Sequence, residues 1–267
     1  MSTPPTARPP RRIKWKIVLP FIGTLIIATS AIIAAEINAK GPAKTPPTPV
    51  VPTFVSSSPT TIPSATSRNA TELTAEQAKT QYLHIINTTS PTLSDSLTAQ
   101  NSNAWDVSSN NASRGCAFQN GAYHAFAARQ DVVECLAKGL SYGNNFVYQV
   151  QMTTTKGDGG GIIFGSSVSD SLIEYRFYVN TGSYCDLFVP LNSQRLFKSS
   201  HAPIISGSNI VAVMVISHTM YLFINEKYVG LAHTIDGGPL SGQIGLFAEE
   251  VKSTTDVVFS ELHVWQE

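Results

Sequence analysis

The sequence predicts an all-β sandwich carried behind one membrane-spanning helix. Three observations lead there. Short β-rich runs punctuated by Gly, Asn and Ser fill residues 90–267, which is the pattern of an antiparallel sandwich. One of these runs, Asn145–Thr154, alternates without a break. Far upstream, Ile17–Ala35 holds about nineteen residues with no charge, close to the ~20 that a helix needs to cross hydrocarbon.

Residues 1–16 carry Arg8, Arg11, Arg12, Lys14 and Lys16 and no acid. A basic stub before the apolar run places the N-terminus in the cytoplasm and the C-terminal part outside by the positive-inside rule. The membrane lipid is then the first partner, met through Ile17–Ala35, and Trp15 sits at the level of an interfacial anchor. A cleaved signal peptide ending near Ala34-Ala35 is the alternative. Its apolar core would be shorter, ~7–15 residues, and followed by a small, polar cleavage region; Ser30–Ala34 is a poor one, so the permanent single-pass anchor in the cell membrane is preferred. Residues 36–73 are dominated by Pro, Ser and Thr and read as a disordered stalk, extending at ~3.1 Å per residue where polyproline-like.

The composition shifts at Thr74. Thr74-Ala-Glu-Gln77 has the form of a capping box, and Ala78, Tyr82, Ile85 and Ile86 approximate one helical stripe. A short helix is expected within residues 74–89. His84 on it has no metal partner at helical spacing and reads as a surface residue.

In Asn145–Thr154, Phe146, Tyr148, Val150 and Met152 share one face, and Val147, Gln149, Gln151 and Thr153 the other. Lys156-Gly-Asp-Gly-Gly-Gly161 reads as a hairpin turn returning the chain through Gly161–Gly165. Leu172–Val179 and Ser183–Val189 pair across Asn180-Thr-Gly182. Ile210–Ser217 and Met220–Ile224 follow, then Tyr228–His233, Gly242–Glu249 and Asp256–Trp265. Ten or more strands with short turns fit a jelly roll, and residues 90–267 are enough for one substantial core. Trp105 and Trp265 are expected to close it.

The runs KGDGGGIIF, YRFYV-x-x-GSY, YLFINEKYVG, GQIGLFAEE and DVVFSELHVW resemble the concanavalin A-like lectin/glucanase superfamily, and within it laminin-G-like and keto-disaccharide hydrolase-like domains. The resemblance covers residues 90–267 and implies a concanavalin A-like jelly-roll sandwich. Similar domains occur in bacterial membrane-anchored proteins behind Pro/Thr-rich stalks, some attached to serine/threonine kinases. Relatives often place an Arg after the GGIIF run, on the ligand-binding face; here Gly165 stands there.

Charge excludes some functions. The formal net charge is zero and charged residues make up 13 %; with the stub holding +5, the rest is mildly acidic and carries no nucleic-acid footprint. Three cysteines outside the cell allow a Cys116–Cys135 bridge with Cys185 left over, or three buried thiols; the bridge is preferred. No zinc spacing appears, and no metal or other cofactor is expected.

Catalysis is not expected either. Glucanases of the superfamily use closely spaced carboxylates on one strand, and no such run exists. Asp170 and Glu174 would stand about 13 Å apart on one face, and Glu249 and Glu250 would point to opposite faces. The six histidines show no H-x-H or H-E-x-x-H, and no G-x-S-x-G elbow occurs. Lys156-Gly-Asp158-Gly lacks the oxygen ligands of a calcium loop and reads as a turn. What remains is a polar-aromatic set: Arg176 and Tyr178 on one face of a central strand, with Gln149 and Gln151 as further candidate contacts. Ordinary strand packing with an exposed Arg is the preferred reading of Arg176 and Tyr178, and topology, stalk and fold point to a membrane-anchored extracellular binding module whose candidate ligand is carbohydrate or cell-wall glycan. A glycoside or keto-disaccharide hydrolase, and a ligand-free interaction ectodomain, are the alternatives. Signalling would need a partner in the membrane or cytoplasm, because the stub is too short for a catalytic domain.

Overall fold

Alternation gives every strand two faces, and in this chain one face of each is apolar enough to be buried. The computed structural model describes residues 72–108, 114–128, 130–166, 173–235 and 240–266. The predicted stub, span Ile17–Ala35 and stalk up to residue 71 lie outside them. Among the described residues no helix is long and apolar enough to cross a membrane.

Helix α1 (Ala75–Thr88) opens the described chain. Thr74 caps it: its Oγ1 accepts from Gln77 N–H at 3.3 Å, while Gln77 Oε1 accepts from Thr74 N–H at 2.9 Å. Such a cap stabilises by about 1 kcal/mol. Fourteen strands follow among the described residues: β1 (Leu93–Asp95), β2 (Gly115–Gln119), β3 (Ala122–Ala127), β4 (Val132–Gly143), β5 (Asn145–Lys156), β6 (Gly159–Ser166), β7 (Tyr175–Asn180), β8 (Cys185–Val189), β9 (Gln194–Ser199), β10 (Asn209–Ile216), β11 (Thr219–Ile224), β12 (Lys227–His233), β13 (Ser241–Glu249) and β14 (Thr255–Gln266).

They form two antiparallel sheets. The eight-stranded sheet runs β12-β11-β10-β5-β14-β3-β2, with β1 also on β14; the six-stranded sheet runs β4-β13-β6-β7-β8-β9. The core lies between them. Tyr148, Val150 and Met152 of β5, Val211 and Val213 of β10, and Val257 and Phe259 of β14 meet Ile162 and Phe164 of β6, Phe177 of β7 and Leu246 of β13. Tyr148 crosses the core to donate to Gly245 O at 2.9 Å. Its hydroxyl is thereby satisfied in a fully apolar setting, where an unmade bond would be expensive.

One pairing and one aromatic placement differ from the sequence expectation. The glycine run after β5 is not a hairpin: β5 and β6 belong to different sheets, and Gly157–Asp158 is the corner between them. Gly157 has φ +89, and a side chain there would meet the backbone of Thr254 and Thr255. Asp158 Oδ2 accepts from the backbone N–H groups of Val251, Lys252 and Ser253 at 2.8–3.0 Å, so this carboxylate locks a turn. Trp105 closes the core as expected, but Trp265 packs on the outer side of its sheet. Strands β1, β2, β3, β4 and β9 have no counterpart in the sequence expectation.

Cys116 and Cys135 form a disulfide. It joins β2, at the edge of one sheet, to β4, at the edge of the other, and so staples the open side of the sandwich. Cys185 is a buried free thiol, and burial pushes its pKa up to about 12, which keeps it unreactive. Asp95 is buried and fully used: Oδ1 accepts from Leu97 N–H at 2.9 Å, and Oδ2 from Asn101, Asn103 and Trp105 side chains at 2.9, 2.6 and 3.0 Å. Burial alone would raise the carboxyl, but these four donors hold it below the usual aspartate value.

Two outcomes are expected. Cys135→Ser lowers unfolding free energy by about 3 kcal/mol, read by urea titration, with the reduced wild-type protein matching it. Asp95→Ala costs about 3 kcal/mol at neutral pH, because four donors lose their acceptor. Asp95 has its folded pKa below its unfolded one, so its contribution is complete above ~3.9 and is lost as pH falls through the folded value. The deficit of the variant therefore narrows below about pH 4 in the same titration.

Candidate functional site

Each sheet has an outer face, and the two differ. On the eight-stranded sheet, α1 lies over β10, β11 and β5. Ala78 and Tyr82 pack against Val147, Ala212, Met214, Tyr221, Phe223 and Trp265. Tyr82 stacks on Phe223 with centroids 4.2 Å apart and donates to Gln149 Oε1 at 2.6 Å. Gln151 takes a long bond from Ser260 Oγ at 3.4 Å. Two of the predicted ligand contacts are therefore under or beside the helix.

Arg176 and Tyr178 lie elsewhere, on the outer face of the six-stranded sheet. The expected four-residue constellation is split, because β5 and β7 belong to different sheets. Register builds this second face row by row. One row runs Glu134, Phe247, Gly161, Tyr178, Asp186 and Lys198 across β4, β13, β6, β7, β8 and β9. The row above holds Leu136, Gly245, Ile163, Arg176, Phe188 and Arg195. Below lie Glu249, Gly159 and Asn180. The strand β6 thus contributes glycines to the middle of the face. Gly161 is obligatory: a Cβ there would run into the carbonyl of Phe177.

Arg176 is 8 % exposed yet sits on this outer face. It is ion-paired to both Glu134 and Glu174, and its guanidinium lies 5.9 Å from the centroids of Phe188 and Phe247. The planar fork suits two carboxylates and two rings at once. Burial raises the Glu174 pKa above the usual value, and the Arg176 charge only partly opposes this.

Tyr178 is 6 % exposed. Burial raises its pKa, and the charges of Glu249, Asp158 and Asp186 raise it further. Its hydroxyl lies beside Gly159, 3.1 Å from where a Cβ would be. Asp186, 4 % exposed, accepts through Oδ2 from Tyr184 Oη and Arg195 Nε, both at 2.8 Å. Burial, followed by that bond to Asp186, pushes the Tyr184 phenol up to about 12. The other oxygen of Asp186, Oδ1, is enclosed without a hydrogen-bond partner. Glu249 is half-buried, and its pKa is raised by burial and by Asp186, against the pull of Arg176. Tyr184 and Phe188 are half-exposed at the β8 side.

Sequence reasoning found Arg176 and Tyr178 and missed Glu134, Glu174, Tyr184, Asp186, Phe188 and Glu249 as their neighbours. Carboxylates were sought along single strands, whereas this face draws them from four chain segments. The pairing of β7 with β8 across Asn180-Thr-Gly182 was legible, and with it Asp186 opposite Tyr178. Asp170 lies outside the described residues. Among the described residues no group of three or more His, Cys, Asp and Glu could hold a metal ion.

No family model matches this chain, and no curated protein does. Solved structures match by fold. A protein of unknown function with a galectin-like fold from Bacillus subtilis aligns with TM-score 0.54 at 9 % identity, over 67 % of this chain and 96 % of its own. A β-glucanase of Bacillus licheniformis aligns at 0.50 and 11 % identity, over 67 % of this chain and all of its own. A β-1,3-1,4-glucanase from a mouse hindgut metagenome aligns at 0.50 and 12 %, over 66 % and 99 %. The described domain therefore has the concanavalin A-like jelly-roll fold. At such identities the likeness is one of fold.

Removing the buried cation tests the ion-pair cluster. Arg176→Ala leaves Glu134 and Glu174 facing each other and lowers stability by about 3–5 kcal/mol. Glu134→Gln, at a side chain 38 % exposed, lowers it by about 1 kcal/mol or less. Chemical denaturation at neutral pH reads both.

Proposed function

We propose that this chain is a membrane-anchored extracellular binding module and that the outer face of its six-stranded sheet binds glycan. One observation carries the reading. That face combines half-exposed rings, Tyr184 and Phe188, and the half-exposed carboxylate of Glu249 with an ion-paired set of Arg176, Glu134 and Asp186, whereas α1 occupies the central part of the opposite face. Sugars are recognised by rings that stack on their apolar C–H faces and by pre-set donors and acceptors that take their hydroxyls. Two solved structures of this fold are glucanases by name, which supports glycan as the ligand class. Anchoring rests on Ile17–Ala35 and the basic residues before it.

A second reading has one observation in its favour. Glu249 has the raised pKa of a general acid. Hydrolysis also needs a second carboxylate ~5–9.5 Å away and free to act, but Glu134 and Glu174 are held by Arg176 and Asp186 is held by Arg195. Binding without turnover fits these ion pairs better.

The full-length chain on a glycan array is expected to retain at least one oligosaccharide family. Tyr184→Ala and Phe188→Ala each weaken it about tenfold, the value of ~1.4 kcal/mol per lost ring contact. Retained binding in both variants, or release of reducing ends from the bound glycan, overturns the reading. Deleting residues 17–35 is expected to move the protein from the membrane fraction to the soluble one.

A further inference from the structure

We infer that the crevice between the C-terminal half of α1 and the eight-stranded sheet is a binding site for a small neutral aromatic molecule, and that this molecule fastens the helix to the sheet. The site lies on the other sheet from the proposed glycan face and stands without that reading.

Strand register builds its floor. Trp265, Val147 and Met214 are direct neighbours across β14, β5 and β10. Asn145 and Ile216 pair in the next row of the same face. Gln81 and Ile85, one helical turn apart, line the helix side, and Thr89 and Ser90 close the end where the chain leaves α1. Between them is a cavity of about 110 Å³. The chain enters at the other end of the helix, where Leu73 N–H bonds to Tyr221 Oη.

The lining selects the ligand. Among the described residues no ionisable side chain borders the cavity, and a charge placed there would lose its water without gaining a counter-ion. The floor is hydrocarbon and sulfur: Trp265 is 8 % exposed, and Met214 and Val147 are 1 % each. The one polar atom of the Trp265 side chain is already used, since Nε1 donates to Thr89 O at 3.0 Å. That bond fixes the ring against the end of α1. A flat ring gains from contact with Trp265 and with the Met214 thioether, which favours aromatic neighbours. A flexible aliphatic chain gains neither. The volume matches a single ring, because an apolar cavity of about 150 Å³ takes up benzene. A polar edge on the ligand is also provided for. Asn145 Oδ1 accepts from Ser217 N–H at 2.9 Å, which holds the carboxamide, and Gln81 and Gln266 add donors and acceptors. Saccharides need polar partners all round and do not suit this floor.

A ring in the cavity touches Ile85 on one side and the Trp265–Val147–Met214 row on the other. It binds only while α1 is docked, so by mass action it stabilises the docked helix.

Methyl NMR on the full-length chain, labelled at its four methionines, reads binding at Met214. Met152 and Met220, in the core between the sheets, are internal references. The probes are phenol, indole, phenylacetate and n-hexanol. Phenol and indole are expected to shift the Met214 signal with dissociation constants of about 0.1–1 mM, ordinary for so few heavy atoms. Phenylacetate binds about tenfold more weakly or worse, because its charge is uncompensated. Hexanol binds about fivefold more weakly, the value of one aromatic contact. Ile85→Phe and Ile216→Phe fill the cavity from the helix and from the sheet, and each abolishes the shift; either one, folded, carries the test. Leu191→Ser, which removes a leucine 77 % exposed between β8 and β9, keeps it. Hydrogen exchange across residues 75–88 slows about tenfold when phenol stands at ten times its dissociation constant.

No Met214 shift up to about 10 mM phenol, phenylacetate binding as tightly as phenol, or binding retained in the filled variants overturns the inference. Hexanol matching phenol overturns it in favour of an aliphatic ligand. Unchanged exchange of α1 under saturating phenol overturns the fastening.

Discussion

The architecture depends on one carboxylate at a corner. At Asp158 the chain leaves the eight-stranded sheet for the six-stranded one, and at Val251–Ser253 it makes the reverse crossing, from β13 to β14. Asp158 Oδ2 takes three backbone N–H groups of that second crossing, its own N–H goes to Thr255 Oγ1 at 3.0 Å, and its carbonyl accepts from Thr181 N–H at 3.1 Å. Desolvation is the largest single influence on this carboxyl and raises its pKa, but three amide donors onto the ionised oxygen, with the charge of Lys252, together hold it below the usual value. Both sheet changes are thus locked to each other. The register of β6 against β13 follows, and so does the placing of Glu249 beside Gly159 on the outer face.

That register decides what the open face can do. Glycines in β6 remove side chains from its middle, so groups from β13 and β7 reach toward each other over the gap. Arg176 resolves part of the resulting acid excess. A guanidinium that is 8 % exposed needs good partners, and it has two carboxylates and two ring faces. A buried ion pair is weak evidence of net stability, because desolvation consumes most of the Coulomb gain. Its effect here is orientation: Glu134 and Glu174 are fixed, and the acids left uncommitted are Glu249 and one oxygen of Asp186.

Much of the fold was legible because alternation, turn residues and caps are local. Thr74 and Gln77 announced the helix, and Asn180-Thr-Gly182 announced the β7–β8 hairpin. The face assignment of Phe146–Met152 followed from period two alone. Sheet membership was not legible. Lys156-Gly-Asp-Gly has the composition of a hairpin turn, and only the long-range bonds from Val251–Ser253 make it a corner. For the same reason the site was half read. Arg176 and Tyr178 share a strand face by simple alternation, but their carboxylate neighbours arrive from β4, β8 and β13, and no spacing rule joins those segments. The bond that Gln149 accepts was not legible either, because its donor, Tyr82, comes from the helix 67 residues upstream.

The helix also settles which face is available. Without α1, Val147, Met214, Tyr221, Phe223 and Trp265 would form a contiguous apolar patch on the eight-stranded sheet, a surface that normally signals an unmet interaction. Tyr82 fills it as a stacked ring with a hydroxyl on Gln149, much as a ligand would. The chain enters on this side, where Leu73 N–H bonds to Tyr221 Oη at 2.9 Å and Glu72 pairs with His233 at 3.3 Å. These contacts commit one side of the sandwich to holding the entering chain. The polar, acid-rich face is on the other side, with Asp186 buried in it and Glu249 half-exposed. The half-exposed rings Tyr184 and Phe188 and the half-exposed carboxylate of Glu249 are thus outer-face groups that the helix leaves uncovered.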